Sequence, residues 1–438
     1  MHKKFLFNLL LIGILSIITA VFIELTVRLI PSEISHYNST FYNVSDKELG
    51  YIHAPKQNSC YNKACFQNKS AKTDSNGFRN PGEERELSDY AITILGDSMT
   101  AAWQVSQKET FSAMIGNILN TSVLNLGTEG YGTLNELLAY KKHIKFGNLV
   151  ILMFTENDII DNQCELVLKS EMKGNKLLAP CAYLQDNEMR INMDFDTSYY
   201  YRPAYRIKIR RLFRSSILLK NLLKRAVNKK PKSTTQNDEL LEYFNVYTQQ
   251  ESQEWKDAWV ITEKVLIELK KEIEKNGGQF VLVLNATHMM TSKNWKKDMS
   301  HRITNLNLFD ELDPLYPVER MKNIAERNNI KCYTMQDRFI NYRDTFNVEY
   351  PYFSFWCDKH WNPIGHFIAA NVIAEYLVRD GYFYLSDDGK NNLYKIIETN
   401  LNTPPIELLG KKSFDSIFNH GIYKGNSHLS EMNMSEGK

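Results

Sequence analysis

The chain has 438 residues, of which 43% are hydrophobic and 24% are charged, an ordinary composition for a globular protein. A chain of this length can bury one large core or two smaller ones. Its formal net charge of +2 shows no basic excess, which argues against nucleic acid as the main partner.

The amino end holds the first predicted element, an uncharged apolar run from Phe5 to Ile23. Its length is close to the ~20 residues of a membrane-spanning helix and exceeds the ~7 to 15 of a signal-peptide core. No convincing small-x-small cleavage site follows, so we expect an uncleaved signal anchor over residues 5–24. Lys3 and Lys4 then leave a cytoplasmic stub, residues 1–4, and send the remainder across the membrane.

Two other interpretations of this run stay open, a cleaved signal peptide that yields a secreted form and a buried core helix. Residues 25–89 form a lead-in segment that is extracytoplasmic if the run is an anchor. An exported chain also suits the even number of cysteines, because disulfides persist outside the cytosol.

Six cysteines allow 15 pairings. We predict local pairing in chain order, which gives the disulfides Cys60–Cys65, Cys164–Cys181 and Cys332–Cys357. The sequence contains no C-x-x-C or H-E-x-x-H spacing, so it predicts no metal site.

Five short aliphatic runs are typical of buried strands. They cover residues 91–97, 122–127, 149–155, 279–285 and 330–335. None alternates cleanly between apolar and polar residues, as expected of strands that are covered on both faces. Amphipathic stretches lie between the first three runs, and this alternation predicts right-handed crossovers and a parallel sheet.

The regular alternation is interrupted by an insertion at residues 160–255, which we expect to form a cap or side wall over the core. Within it, residues 202–232 are rich in Lys and Arg and contain no acidic residue. This stretch is either a solvated helical face or a surface that docks on anionic lipid or an acidic glycan. A long amphipathic helix follows the insertion and ends at two glycines, Gly277 and Gly278.

After the fifth strand, Asn362 and Pro363 are expected to begin another helix, as N-cap and first helical residue. Residues 381–438 form a polar C-terminal extension with little apolar periodicity. From about Gly425 onward the composition indicates disorder.

Polar groups follow each of the first three predicted strands. Ser98 stands in "GDS", Gly130 in "GTEG" and Asn157 in "END". The carboxyl ends of parallel strands share one edge of a sheet, where ligands bind, so these three residues should lie together. A serine hydroxyl beside N–H donors is what nucleophilic catalysis and an oxyanion hole require.

A fourth stretch, "DKHWNPIGH", places Asp358 two residues before His360. Together the four motifs resemble blocks I, II, III and V of the SGNH, or GDSL, hydrolase superfamily, over residues 90–380. The resemblance implies a three-layer α/β/α sandwich with a mainly parallel, five-stranded, flavodoxin-like sheet. It also implies Ser98 as nucleophile, His360 as general base and Asp358 as the acid that orients it.

In the same resemblance, the Ser98 N–H, the Gly130 N–H and the Asn157 side chain form the oxyanion hole. Two features depart from the family pattern. Thr155 and Glu156 precede Asn157 where the family usually has a glycine at the start of the block. The acid and base are spaced D-x-H rather than D-x-x-H, which is similar to exported polysaccharide O-acetyltransferases of the alginate type. The lead-in "SNGFRNPGE" resembles that of bacterial envelope members.

Neighbouring polar residues receive lesser roles. The positive end of the helix after His360 should disfavour the imidazolium form of its ring. We expect His366 to pack or bond inside that helix, Asp97 to stabilise the turn behind Ser98, and Asp158 to bond nearby backbone. His288 follows the fourth strand and is either structural or in contact with substrate.

These features predict a membrane-anchored serine esterase on the periplasmic side of the bacterial inner membrane. It would remove an acetyl or other small acyl group from a surface glycan through an acyl-enzyme, without a metal or organic cofactor. The alternatives are an O-acyltransferase that modifies an exported polysaccharide and a catalytically silent glycan-assembly factor. The oligomeric state is left open.

Overall fold

The computed structural model describes residues 2–29, 41–63, 65–80, 85–169, 177–200, 243–249, 252–299, 308–348, 352–355, 358–383 and 385–410. The basic stretch 202–232, Cys357 and the expected disorder beyond Gly425 lie outside these ranges.

Four antiparallel strands precede the sheet, and two more form a hairpin inside the insertion. In chain order the strands are β1 Asn43–Asp46, β2 Gly50–His53, β3 Asn58–Lys63, β4 Phe66–Lys72, β5 Ile92–Gly96, β6 Val123–Asn125, β7 Leu149–Phe154, β8 Cys181–Gln185, β9 Glu188–Asn192, β10 Gln279–Leu284 and β11 Lys331–Thr334.

The helices range from single turns to long amphipathic elements. They are α1 His2–Leu29, α2 Ser98–Ala101, α3 Phe111–Leu119, α4 Thr133–His143, α5 Asp158–Asn162, α6 Cys164–Lys169, α7 Gln253–Lys275, α8 His288–Thr291, α9 Trp295–Met299, α10 Leu308–Glu311, α11 Tyr316–Arg327, α12 Gln336–Thr345, α13 Pro363–Arg379, α14 Asp387–Leu401 and α15 Pro405–Leu409. Short 3-10 turns cover Leu87–Asp89, Gln107–Glu109, Thr197–Tyr200 and Asn245–Tyr247.

The five predicted strands form one sheet in the order β11-β10-β7-β5-β6, and every adjacent pair is parallel. This is the doubly wound order in which the first strand lies between the second and the third, as in flavodoxin-like folds. The prediction of a parallel α/β fold is therefore confirmed. The carboxyl ends of β5, β6 and β7 are neighbours at one edge of the sheet.

The sheet is buried on both faces, which explains why its strands lack clean alternation. In β7, Leu149, Ile151 and Met153 pack on one face with α3, α12 and α13. Val150, Leu152 and Phe154 pack on the opposite face with α4, α7 and α11. Helices thus cover both faces and complete the α/β/α layers.

Several elements were not predicted. The lead-in folds into two antiparallel hairpins, β1–β2 and β3–β4. In the C-terminal extension, α14 packs Leu393 and Ile397 against Ala374 and Val378 of α13. Few apolar positions suffice there, because α14 is an amphipathic surface helix with only these two side chains buried.

At the amino end, α1 covers the apolar run as one helix. Across the described residues, no helix is found that is long and apolar enough to cross a membrane. The transmembrane anchor predicted over residues 5–24 is thus not found.

One of the three predicted disulfides is present, Cys164–Cys181, which links α6 to β8 with a Cα–Cα distance of 5.1 Å. Cys60 and Cys332 carry thiols, so the other two predicted pairings are wrong. Cys60 precedes Tyr61, which lies opposite Asn68 in the hairpin. Cys60 therefore lies opposite a part of β4 that is several positions from the turn that contains Cys65. Cys65, in that turn, is disulfide-bonded, and burial raises the pKa of the Cys332 thiol to about 12.

Gly127, just after β6, lies against the short helix α2. A Cβ atom built there would be 2.4 Å from the backbone N of Ala101 and 2.6 Å from the carbonyl carbon of Thr100. Both contacts are with backbone, so no side-chain rotation can relieve them. This close approach fixes the position of α2, and with it Ser98, against the sheet.

We therefore expect Gly127→Ala to lower the free energy of unfolding by about 1–3 kcal/mol, the usual cost of overpacking. Urea unfolding followed by circular dichroism measures it. Gly389→Ala in α14 is the matched control, since its nearest contact is the end of the Ser386 side chain at 3.2 Å, and it should change stability less. Equal midpoints for Gly127→Ala and the unsubstituted protein would contradict the close approach.

Candidate active site

Ser98 begins α2 directly after β5, at the carboxyl edge of the sheet. The preceding residue, Asp97, is the N-cap of α2, and its Oδ1 accepts a hydrogen bond from the Met99 N–H at 2.8 Å. Thr155 Oγ1 donates to the same oxygen at 3.3 Å. Asp97 therefore stabilises the turn behind Ser98, as its predicted role requires.

The other end of α2 is held by Arg79, which lies in the lead-in segment and is fully buried. Its guanidinium donates to the carbonyl oxygens of Ala101, at 2.9 Å, of Ala102, and of Val105, at 2.6 Å. Carbonyl groups at the end of a helix need such donors. The "SNGFRNPGE" segment thus has a structural role in fixing the helix that carries Ser98.

The structure brings Ser98, His360 and Asp358 into one hydrogen-bonded line. His360 Nε2 lies 2.8 Å from Ser98 Oγ, and His360 Nδ1 lies 2.8 Å from Asp358 Oδ2. The carboxylate can only accept, so the Nδ1 proton faces Asp358 and Nε2 is left to accept the serine proton. This is the arrangement that activates a serine nucleophile.

A tight turn lets the acid and the base be only two residues apart. Lys359, between them, has the left-handed backbone conformation, with φ of 68°. The turn is closed by hydrogen bonds from Lys359 N to the Phe355 carbonyl, at 2.7 Å, and from Phe355 N to the His360 carbonyl, at 2.8 Å. A left-handed non-glycine residue costs about 1–2 kcal/mol, which the closed turn offsets.

Two donors that sequence analysis did not identify hold Asp358 in place. Gln104 Nε2 donates to Asp358 Oδ2 at 2.8 Å, and the Lys63 ammonium forms an ion pair with Oδ1. The Asp358 side chain is only 2% exposed. Because a buried carboxylate must be paired and hydrogen-bonded, these contacts keep it ionised beside the histidine.

Charged groups around the imidazole act on its pKa in opposite directions. Burial lowers the pKa of His360, the carboxylates of Asp97 and Glu129 raise it, and the Lys63 ammonium lowers it. The net shift is downward. That direction was expected from the helix that begins after Asn362, but the largest cause is burial rather than the helix end.

Glu129 stands directly before Gly130 and accepts a hydrogen bond from the Tyr61 hydroxyl. Burial raises the pKa of its carboxyl group, and the His360 and Lys63 charges lower it. Tyr61 and Lys63 both belong to β3, so the lead-in hairpin contributes two side chains to the candidate site. No motif in the sequence marks these contacts.

The other proposed oxyanion donors line the same cavity as Ser98. Gly130 has φ of 72°, a left-handed conformation that suits glycine. Asn157 Nδ2 donates to Asp97 Oδ2 at 3.3 Å and to Asp161 Oδ2 at 3.1 Å. Both bonds are long, and an oxyanion would compete with these carboxylates for the amide hydrogens. The oxyanion role of both residues stays a prediction.

Glu156, in the third motif, binds the predicted insertion. Its carboxylate accepts hydrogen bonds from the hydroxyls of Tyr247, at 2.5 Å, and Tyr243, at 3.2 Å. These tyrosines lie near the end of the predicted insertion. Glu156 therefore ties the described end of the insertion to the sheet edge.

The cavity at Ser98 has a volume of about 450 Å³. One side is formed by Ser98, Asn157 and His360, and Tyr243, Phe244 and Tyr247 contribute aromatic rings; Ile160, Asn285, Thr287, His288 and Met289 are also in the lining. The described end of the insertion thus contributes residues to the cavity lining.

The residues for which the sequence predicts minor roles lie close to the cavity at Ser98. His366 is buried, its ring stacks on Phe111, and its Nδ1 accepts from the Phe111 N–H at 3.4 Å, so the packing prediction is confirmed. Asp158 Oδ2 accepts from the Thr155 N–H at 3.4 Å. His288 lines the cavity, with Nε2 at 3.5 Å from Asp298 Oδ2. In the described part of the chain, no group of three or more His, Cys, Asp or Glu side chains could hold a metal ion.

The fold and the site define an α/β protein with a Ser-His-Asp arrangement at the carboxyl edge of a parallel sheet. No protein-family model matches the chain, and no curated protein matches its sequence. Solved structures similar to it include an acetyl xylan esterase, AlAXEase, with 12% identity and a TM-score of 0.32 over 66% of this chain and 98% of that chain.

Two further similar structures come from named organisms. A catalytic mutant of the acetylxylan esterase Axe2 from Geobacillus stearothermophilus has 13% identity and a TM-score of 0.31 over 68% of this chain and 97% of that chain. A carbohydrate esterase family 2 enzyme from Corynascus thermopiles has 11% identity and a TM-score of 0.31, over 69% of each chain. Scores this low carry no argument about activity.

Two substitutions should move the pH dependence of Ser98 reactivity in opposite directions. Only neutral His360 can accept the serine proton, so reactivity falls as the pH drops through the pKa of His360. Glu129→Gln removes a charge that raises this pKa, so the fall should move to lower pH. Lys63→Met removes a charge that lowers it, so the fall should move to higher pH.

The measurement is the rate of fluorophosphonate labelling of Ser98 between pH 4 and 8. Lys63→Arg keeps the positive charge and should leave the midpoint nearest to that of the unsubstituted protein. Midpoints that shift in the same direction for Glu129→Gln and Lys63→Met would contradict this electrostatic account.

Proposed function

We propose that the protein is an SGNH-type serine esterase that hydrolyses ester bonds through an acyl-enzyme. The observation that supports this best is the Ser98-His360-Asp358 line, with both hydrogen bonds at 2.8 Å and the serine facing a cavity. The matching sequence motifs support it independently.

In the proposed mechanism, Ser98 Oγ attacks the ester carbonyl while its proton moves to His360 Nε2. The carbonyl oxygen becomes negative and is stabilised by the N–H groups of Ser98 and Gly130 and by the Asn157 amide. When the ester C–O bond breaks, His360 returns the proton to the departing alkoxide. Water then attacks the acyl-serine by the same steps in reverse, and Asp358 stabilises the imidazolium in both halves.

The proposed substrate is an acetyl or other small acyl ester of a glycan. The combination of motifs resembles the SGNH superfamily, and the lead-in "SNGFRNPGE" resembles that of its bacterial envelope members. The cavity next to Ser98 has room for more than a small acyl group, since about 450 Å³ is within the ~300 to 1,000 Å³ of typical ligand sites.

An O-acyltransferase is the second candidate, and the D-x-H turn around Lys359 favours it by its similarity to alginate-type O-acetyltransferases. The chemistry differs only in the second half, where a sugar hydroxyl replaces water as the acceptor of the acyl group. Incubation with an acetyl donor and an oligosaccharide acceptor separates the two activities, because only transfer yields an acetylated oligosaccharide.

Hydrolysis of 4-nitrophenyl acetate tests the esterase proposal. Ser98→Ala should lower kcat by about 10⁴-fold or more, because the nucleophile is lost. Asn157→Ala should lower it by about 10²- to 10³-fold, the usual effect of losing one oxyanion donor. Ser198→Ala, which changes an exposed serine, is the matched control. If hydrolysis survived in Ser98→Ala, the proposed nucleophile would be wrong.

We also propose that the catalytic domain lies outside the cytoplasm, which the Cys164–Cys181 disulfide supports because such bonds persist in oxidising compartments. Alkaline phosphatase is active only after export. Its fusion after residue 40 in a bacterial host should be active, and a fusion after residue 4 should be inactive. An inactive fusion after residue 40 would exclude export by the amino-terminal run.

Attachment to the membrane through the apolar run of residues 5–23 remains a separate proposal. Carbonate extraction of cells that express the full chain tests it. Retention in the membrane pellet is expected, and release into the supernatant would contradict attachment.

A further inference from the structure

Asn285 is a buried polar residue to which the proposed chemistry gives no role. It directly follows β10, and its backbone N–H donates to the Phe154 carbonyl at 3.0 Å. Asn285 is 3% exposed and lines the cavity that contains Ser98. Among the residues that the structure describes, neither the Nδ2 nor the Oδ1 atom of its amide has a hydrogen-bond partner.

A buried amide without partners is costly, at about 1–3 kcal/mol for each unsatisfied group. Such groups are rare in folded proteins and call for a ligand, a water molecule or a functional reason. Because Asn285 lines the cavity, an occupant of the cavity can supply both partners. That occupant must accept a hydrogen bond from Nδ2 and donate one to Oδ1.

The chemistry of the amide limits what the occupant can be. A long acyl chain has neither donors nor acceptors, so filling the cavity with it would leave both amide atoms unsatisfied. Each hydroxyl of a sugar is both donor and acceptor, and two adjacent hydroxyls present the matching pair to an amide. Asn285 therefore favours the alcohol part of a glycan ester over an extended acyl part.

The size and the lining of the cavity agree with this choice. An acetyl group has three non-hydrogen atoms and occupies about 90 Å³ at the ~30 Å³ of one liquid water. A cavity of about 450 Å³ leaves space beside it for a ring. Tyr243, a half-buried aromatic residue, is in the same lining, and the C–H face of a sugar ring can pack against such a ring.

We infer that Asn285 is a specificity-determining residue, whose side-chain amide binds two neighbouring hydroxyls of the sugar that carries the ester. Nδ2 donates to one hydroxyl and Oδ1 accepts from the other. This inference rests on the proposed esterase function and narrows its substrate to esters of polyhydroxylated rings. In this arrangement, the cavity wall next to β10 binds the sugar, and Ser98, His360 and Asp358 perform the hydrolysis.

The test compares two esters that share an acetyl group and a six-membered ring. Monoacetylated methyl glucopyranosides carry free hydroxyls, and cyclohexyl acetate carries none. Acetate release gives kcat/KM for each, and the unsubstituted protein should favour the sugar esters. Asn285→Ala should lower the ratio of sugar ester to cyclohexyl ester by about 10- to 100-fold, as expected for two lost hydrogen bonds.

Two further variants keep the test decisive. Asn285→Leu replaces the amide by an apolar group of similar size and should lower the ratio even if Asn285→Ala folds poorly. Fluorophosphonate labelling of Ser98 shows that each variant has a folded site. Asn392→Ala changes an exposed asparagine of α14 that is outside the cavity lining, and its ratio should match that of the unsubstituted protein.

The outcomes separate the inference from the function on which it rests. A ratio that stays unchanged in Asn285→Ala and Asn285→Leu would overturn the inference alone. So would faster hydrolysis of cyclohexyl hexanoate than of cyclohexyl acetate by the unsubstituted protein, because the cavity would then hold the acyl chain. Absence of Ser98-dependent hydrolysis of every ester would overturn the proposed function, and the inference with it.

Discussion

The burial of one carboxylate, that of Asp358, is the constraint on which the site depends. Its side chain is 2% exposed, and an ionised carboxylate in such a place is stable only when paired and hydrogen-bonded. Two partners come from distant parts of the chain, Lys63 in the lead-in hairpin and Gln104 after α2, and the third, His360, lies two residues further on. Folding the catalytic line therefore requires the lead-in to dock on the sheet.

The same dependence links the lead-in to the nucleophile. Arg79 satisfies the carbonyl groups at the end of α2, and Gly127 lets that helix lie directly on the backbone after β6. Arg79 and the backbone at Gly127 thus fix the helix that carries Ser98. The left-handed conformation of Lys359 positions His360 beside Ser98. Through Lys63 and Arg79, the described part of the lead-in holds the residues of the candidate site in place.

The aliphatic runs predicted the five strands and their parallel order, because burial on both faces leaves a strong sequence signal. The strand ends and the short motifs also predicted which side chains meet at the sheet edge. Lys63, Gln104 and Asn285 carried no such signal. They are isolated polar residues in hairpins and loops, and only tertiary packing decides which of them is buried. The predicted Cys60–Cys65 pairing failed for a related reason, since closeness in sequence does not set strand register.

Glu156 connects the edge of the sheet with the insertion. Its carboxylate accepts hydrogen bonds from the hydroxyls of Tyr243 and Tyr247. Those bonds fix aromatic rings of the insertion on the rim of the cavity that also contains Asn285. The Ser98-His360-Asp358 line and the proposed oxyanion donors come from the strand ends and the C-terminal loop, whereas Tyr243, Phe244 and Tyr247 of the cavity lining come from the insertion. Because Glu156 is next to Asn157 and binds the insertion, its carboxylate connects these two parts of the cavity.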